Sequence, residues 1–86
     1  MKKIIFSNRA EKNFDKLSLP IKNKFIKQIK LIEKDLYYPS LRVKKLKGTE
    51  YFEARIDYHY RFIFRIKNED LFIIAIGPHD EGLGKK

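Results

Sequence analysis

The sequence predicts an α+β fold: an N-terminal strand, then a helical hairpin packed on a mainly antiparallel sheet, in the order β-α-α-β-β-β. Three observations lead there. Apolar residues recur at helical spacing between Ala10 and Leu36, the period changes to two from Tyr51, and Leu71 to Ile76 is an unbroken apolar run. At 86 residues the chain makes one domain, residues 1–86, with no Gly/Ser linker and no internal repeat.

Ile4-Ile5-Phe6 reads as a short strand. Ser7 or Asn8 can cap the helix that follows, and Glu11, three residues after Asn8, completes a capping-box pattern. Ala10, Phe14 and Leu17 give the first helix one apolar stripe. Ser18-Leu19-Pro20 restarts the chain, since Pro is tolerated in a first helical turn. The second helix carries Ile21, Phe25, Ile29, Ile32 and Leu36 on one face, with lysines on the others. Tyr37-Tyr38-Pro39 ends it, because the residue before Pro leaves helical geometry. Residues 40–50 read as a basic connection. Phe52, Ala54 and Ile56 then alternate with Glu53, Arg55 and Asp57, and Tyr60, Phe62, Phe64 and Ile66 alternate with Arg61, Ile63, Arg65 and Lys67. Asn68-Glu69-Asp70 is turn chemistry. The run from Leu71 reads as a central strand covered on both sides, stopped by Gly77-Pro78.

Composition narrows the function. With no Cys there is no disulfide framework, zinc knuckle or thiol nucleophile. His59 and His79 lack metal-ligand spacing, and no Gly-rich phosphate loop is present, so no metal and no small-molecule cofactor are expected. Ser7, Ser18 and Ser40 lack a nucleophile-elbow setting. Apolar runs are too short for a signal peptide or a membrane span, so a soluble, cytoplasmic protein is expected. The net charge is +9, and it is uneven: residues 1–49 carry 14 Lys+Arg against 4 Asp+Glu, and residues 50–86 carry 6 against 7. Such a chain seeks a polyanion, whether nucleic acid, an anionic membrane or an acidic protein partner.

Arg55 and Arg61 fall on neighbouring strands close to their hairpin, with Arg65 further along. Lys44, Lys45 and Lys47 arrive from the preceding connection, and His79 follows the last strand. A phosphodiester suits this group. Guanidinium forks grip non-bridging oxygens in pairs, and imidazole exchanges protons near neutrality. A plainer reading stands beside it. Arg55 can pair with Glu53 or Asp57, Arg65 can sit in an ion pair, His59 can be a solvated turn residue, and the lysine stripe can be a solvated face.

Leu46-Lys47-Gly48, Tyr51-Phe52-Glu53-Ala54-Arg55, Tyr60-Arg61-Phe62-Ile63-Phe64 and Ala75-Ile76-Gly77-Pro78-His79-Asp80, in that order and spacing, resemble the RelE/ParE superfamily of toxins from bacterial and archaeal type II toxin-antitoxin systems. The resemblance runs from Ile4 to Asp80. It implies a ribosome-dependent endoribonuclease acting on mRNA, in which the ribose 2′-hydroxyl attacks the adjacent phosphorus. By the same resemblance, Arg61 binds the scissile phosphate, Arg55 supports it electrostatically, and His79 is the general acid. Lys45 and Lys47 lie in the basic segment that the resemblance turns toward RNA, Lys44 and Arg65 are expected to bind RNA beside them, and a cognate acidic antitoxin is the expected protein partner. Two departures stand out. Lys44 occupies a place where some members carry a carboxylate base, and no Tyr follows Tyr60, where many members end with one. The base is therefore open among Glu53, His59 and a lysine. The alternatives are a ParE-like toxin that inhibits DNA gyrase without being an enzyme, and a detoxified domain that only binds antitoxin.

Overall fold

In the computed structural model, residues 3–78 are described. Strand β1 (Ile4–Phe6) leads into helices α1 (Asn8–Lys16) and α2 (Leu19–Lys34), then a 3-10 turn at Pro39–Leu41. Strands β2 (Lys44–Lys45), β3 (Phe52–Arg55), β4 (Tyr60–Lys67) and β5 (Asp70–Pro78) follow. They form one five-stranded sheet in the order β1-β5-β4-β3-β2, with β1 parallel to β5 and every other pair antiparallel. The expected α+β architecture is present, with one element added.

The addition is β2, which lies within the stretch expected to be a connection. It contributes only the pairs Lys44↔Glu53 and Lys45↔Phe52. Two lysines show no periodicity to read, and a short, charged edge strand resists pairing with other chains. Helix α1 is capped by Ser7 rather than through Asn8 and Glu11. The Ser7 hydroxyl accepts the Ala10 amide at 3.0 Å and donates to the Ile74 carbonyl at 2.8 Å, fastening the helix start to β5. Helix α2 stops at Lys34, ahead of the tyrosines, with Asp35 as its C-cap and the Tyr37 amide bonded to the Asp35 carboxylate. The last hairpin turns on Asn68 and Glu69 alone, both at positive φ, and Asp70 already pairs with Lys67.

β5 is an internal strand, flanked by β1 and β4, while β4 takes the middle of the sheet. Its apolar run has a specific geometric cause. The register shifts after Ile63↔Ala75 to Phe64↔Ile73, so Ile74 is an extra residue. The bulge lets Leu71, Ile73 and Ile76 all enter the core beneath the helices, which strict alternation forbids. Phe25 of α2 is the hub of that core, edge-on to Phe62 at 5.1 Å and to Phe6 at 6.0 Å. Beyond the bulge, Ala75 and Gly77 turn to the opposite face, where Ile63 and Ala75 form a smaller cluster with Leu46, Tyr51 and Ile74.

Candidate functional site

The face of the sheet turned away from the helices carries the cations. Arg55 pairs directly with Arg61, and Arg61 with Gly77, so three strands contribute one row with two guanidinium groups and a residue without a side chain. Side chains at directly paired positions lie about 4.5–5.5 Å apart at Cβ, and like charges placed so are destabilising. Among the described residues neither arginine forms an ion pair. Arg61 makes a long contact, Nη1 to the Asp57 carbonyl at 3.5 Å. The Nε–H of Arg55 is buried with no acceptor. An unmet buried donor costs about 1–3 kcal/mol. The row is thus held at a cost.

The neighbouring row on the same face places Lys44, Glu53 and Ile63 side by side on β2, β3 and β4. Glu53 is only 6% exposed and lies diagonally from Arg61, within reach of a long side chain. Lys44, where related sequences were expected to carry a carboxylate, faces an acid on the next strand, so this row still holds one.

Two residues hold the row in place: Gln28, absent from the sequence reading, and Asp57, which that reading named only as a possible ion-pair partner of Arg55. Gln28 is a buried polar residue on the otherwise apolar face of α2, and its Nε2 donates to the Arg55 carbonyl at 2.7 Å and to the Ser40 carbonyl at 3.3 Å. A glutamine inside an apolar stripe was the available signal. Asp57 organises the β3–β4 hairpin: its Oδ1 accepts the His59 and Tyr60 amides, each at 2.9 Å, and its Oδ2 lies 3.6 Å from Lys24 Nζ. An Asp two residues before the hairpin tip has the spacing of an Asx turn. Partial burial acts to raise the Asp57 pKa. The two amide hydrogen bonds and the Lys24 charge outweigh it, and the carboxyl titrates below its ordinary value of 3.8.

The remaining expected site residues are distributed as follows. Lys45 shares its face with Phe52 and Phe64, opposite to Lys44, because adjacent strand residues point to opposite sides. Lys47 is exposed in the turn closed by Thr49, whose hydroxyl donates to the Leu46 carbonyl at 2.7 Å. Arg65 lies 2.6 Å from Glu50 and over the Phe72 ring at 5.2 Å, the ion pair that the plainer reading allowed. His59 is exposed at the hairpin tip, edge-on to Tyr58. His79 lies outside the described residues. The described chain ends at Pro78, opposite Tyr60 and next to Arg61. Among the described residues no three His, Asp or Glu side chains cluster as metal ligands, and no helix is long and apolar enough to cross a membrane.

Comparison with known proteins follows the same lines. The family "ParE toxin of type II toxin-antitoxin system, parDE" matches residues 4–83. No curated sequence matches the chain. Among solved structures, the YoeB/ParE toxin from Agrobacterium tumefaciens has a TM-score of 0.79 at 18% identity, covering 90% of this chain and 98% of that one. A chain of the archaeal RelE-RelB complex from Pyrococcus horikoshii has a TM-score of 0.76 at 19% identity, covering 92% and 96%. One from the YoeB-YefM toxin-antitoxin complex of Staphylococcus aureus has 0.76 at 21%, covering 88% and 94%. These structures share the fold, and the family match extends over nearly the whole sequence. The chain therefore belongs to the ParE toxin family within the RelE/ParE superfamily, and it is a toxin of a type II toxin-antitoxin system.

Proposed function

We propose that this toxin cleaves mRNA on the ribosome, with the row formed by Arg55 and Arg61 as its phosphate-binding centre. The observation that carries the reading is the directly opposed arginine pair, neither member of which forms an ion pair among the described residues. A purely structural sheet gains nothing from two like charges side by side, whereas a phosphodiester bridges them. In the reaction the ribose 2′-hydroxyl attacks the adjacent phosphorus, the bond to the 5′ oxygen breaks, and a cyclic phosphate and a free 5′-hydroxyl are left. Arg61 holds the non-bridging oxygens, and Arg55 offsets the charge that grows on them in the transition state. His79 protonates the leaving oxygen. Of the candidate bases, Glu53 shares the face of both arginines by register, while His59 sits at the hairpin tip. A lysine would need a depressed pKa to serve. Lys44 and Lys47 would add cationic reach around the transcript, with Lys45 on the other side of the edge.

An antitoxin silences the site in this reading. The Pyrococcus horikoshii RelE and Staphylococcus aureus YoeB structures are complexes with RelB and YefM, and a +9 chain suits an acidic antitoxin.

Primer extension on mRNA from cells expressing the toxin tests cleavage. New 5′ ends in translated transcripts, lost with Arg61→Ala and reduced roughly 10²–10⁴-fold with His79→Ala, are expected. Growth arrest with no new 5′ ends overturns the proposal.

A second reading rests on the family match to ParE toxins: inhibition of DNA gyrase without cleavage. It predicts unchanged transcripts and a block of supercoiling in vitro. Harmless expression without antitoxin would instead point to a domain that only binds its partner.

A further inference from the structure

A second cleft lies around the corner from the arginine row, between α2 and the β3–β4 hairpin. Its volume is about 580 Å³, within the range that accommodates a nucleotide-sized guest. Lys24, Lys27, Arg42, Arg55 and Tyr58 line it, with Asp57 as the acid among its lining residues. Lys24 is committed to Asp57. Lys27 and Arg42 form no ion pair among the described residues. Tyr58 is 78% exposed, a large ring left in solvent at the cleft mouth. Arg55 belongs to both places and carries the buried Nε–H that lacks an acceptor.

We propose that this cleft binds the single-stranded RNA flanking the cleavage point, with Lys27 and Arg42 on its phosphates and Tyr58 stacked on a base. The inference builds on the cleavage reading, because it continues the path of a strand whose scissile phosphate sits on Arg55 and Arg61. Cations around a groove, two of them outside any ion pair among the described residues, beside an exposed aromatic ring are the pairing that single-stranded nucleic acid uses, charge for the backbone and a π-face for the bases. An acidic peptide could also use the cations and the ring, and the binding measurements below distinguish it from RNA.

The test measures binding of the full-length toxin to a short RNA oligonucleotide with 2′-deoxy substitutions, which 2′-hydroxyl attack cannot cut. Fluorescence anisotropy is read between about 50 and 200 mM salt. Each phosphate contact on a single strand contributes about 0.7 to the slope of log affinity against log salt, or about 5-fold at 0.1 M. The double variant Lys27→Gln/Arg42→Gln should therefore bind about 25-fold more weakly and lose about 1.4 from the slope. Tyr58→Ala should bind several-fold more weakly with an unchanged slope. All three residues are exposed, so the variants keep the parent's circular dichroism. Unchanged affinity and slope in the double variant overturn the inference. So does a loss confined to antitoxin binding, which would assign the cleft to the protein partner. The two readings fail separately. If transcripts are cut in cells while the variants bind RNA normally, only the cleft is lost. If the variants lose RNA while no transcript is cut, only the cleavage reading is lost.

Discussion

Gln28→Leu is the substitution that most directly probes how the arginine row is held. Leucine nearly conserves the volume, so packing of α2 against the 3-10 turn and the end of β3 is retained and the swap alone costs under about 1.5 kcal/mol. The amide is what disappears. In the native fold it donates to the Arg55 carbonyl at 2.7 Å and, more weakly, to the Ser40 carbonyl at 3.3 Å. At 6% exposure little water reaches it. Each buried acceptor left unmet costs about 1–3 kcal/mol, and with one strong and one weak bond the loss should total about 2–4 kcal/mol. For a domain of this size, that lowers the melting temperature by roughly 8–32 °C, at 4–8 °C per kcal/mol. Thermal and urea denaturation followed by circular dichroism measures it. A companion, Gln28→Glu, should be worse than leucine at neutral pH, where a carboxylate faces two carbonyl oxygens, and should recover as acid protonates it into a donor. Growth inhibition should weaken in Gln28→Leu even below its melting transition, because the end of β3 is no longer fixed. A Gln28→Leu protein within about 0.5 kcal/mol of the parent, the range of a neutral surface change, would refute the idea that this amide clamps Arg55.

Three further outcomes are expected. Asp57→Ala should cost about 2 kcal/mol through loss of two charge-assisted amide bonds in a partly exposed setting, and Asp57→Asn about half that, since the amide oxygen still accepts. Because the Asp57 pKa is lowered on folding, its contribution is present above 3.8 and disappears as pH falls through the lower folded value. The stability gap between parent and Asp57→Asn, read by urea titration, should therefore be flat near neutrality and close only in strong acid. Gly48→Ala should cost about 1 kcal/mol from backbone strain alone, as φ is +77° and a Cβ there meets open space, with the loss read in the same denaturation experiment. Phe25→Ala should cost about 3–5 kcal/mol, because the ring is 1% exposed and three other phenylalanines pack against it, and calorimetry should find little cooperative unfolding left.

By itself the sequence determined the kinds of element and their order apart from the edge strand β2, the charge asymmetry, and the closeness of Arg55 to Arg61. These are local properties. Periods of 3.6 and two report which face of an element is apolar, and a short hairpin connection holds the residues on either side of it within a few positions of register. Only the tertiary structure decided the rest. The bulge at Ile74 sets which β5 residues turn toward Arg61, and an apolar run on both sides conceals it. The parallel β1–β5 pair joins residues 67 positions apart, as Ile4↔Leu71 does. The edge strand splits Lys44 from Lys45, Glu50 captures Arg65 across the sheet, and Gln28 reaches a carbonyl 27 positions away. Partners so distant in the chain are chosen by packing and by the need to satisfy buried polar groups. No local pattern of residues encodes either one.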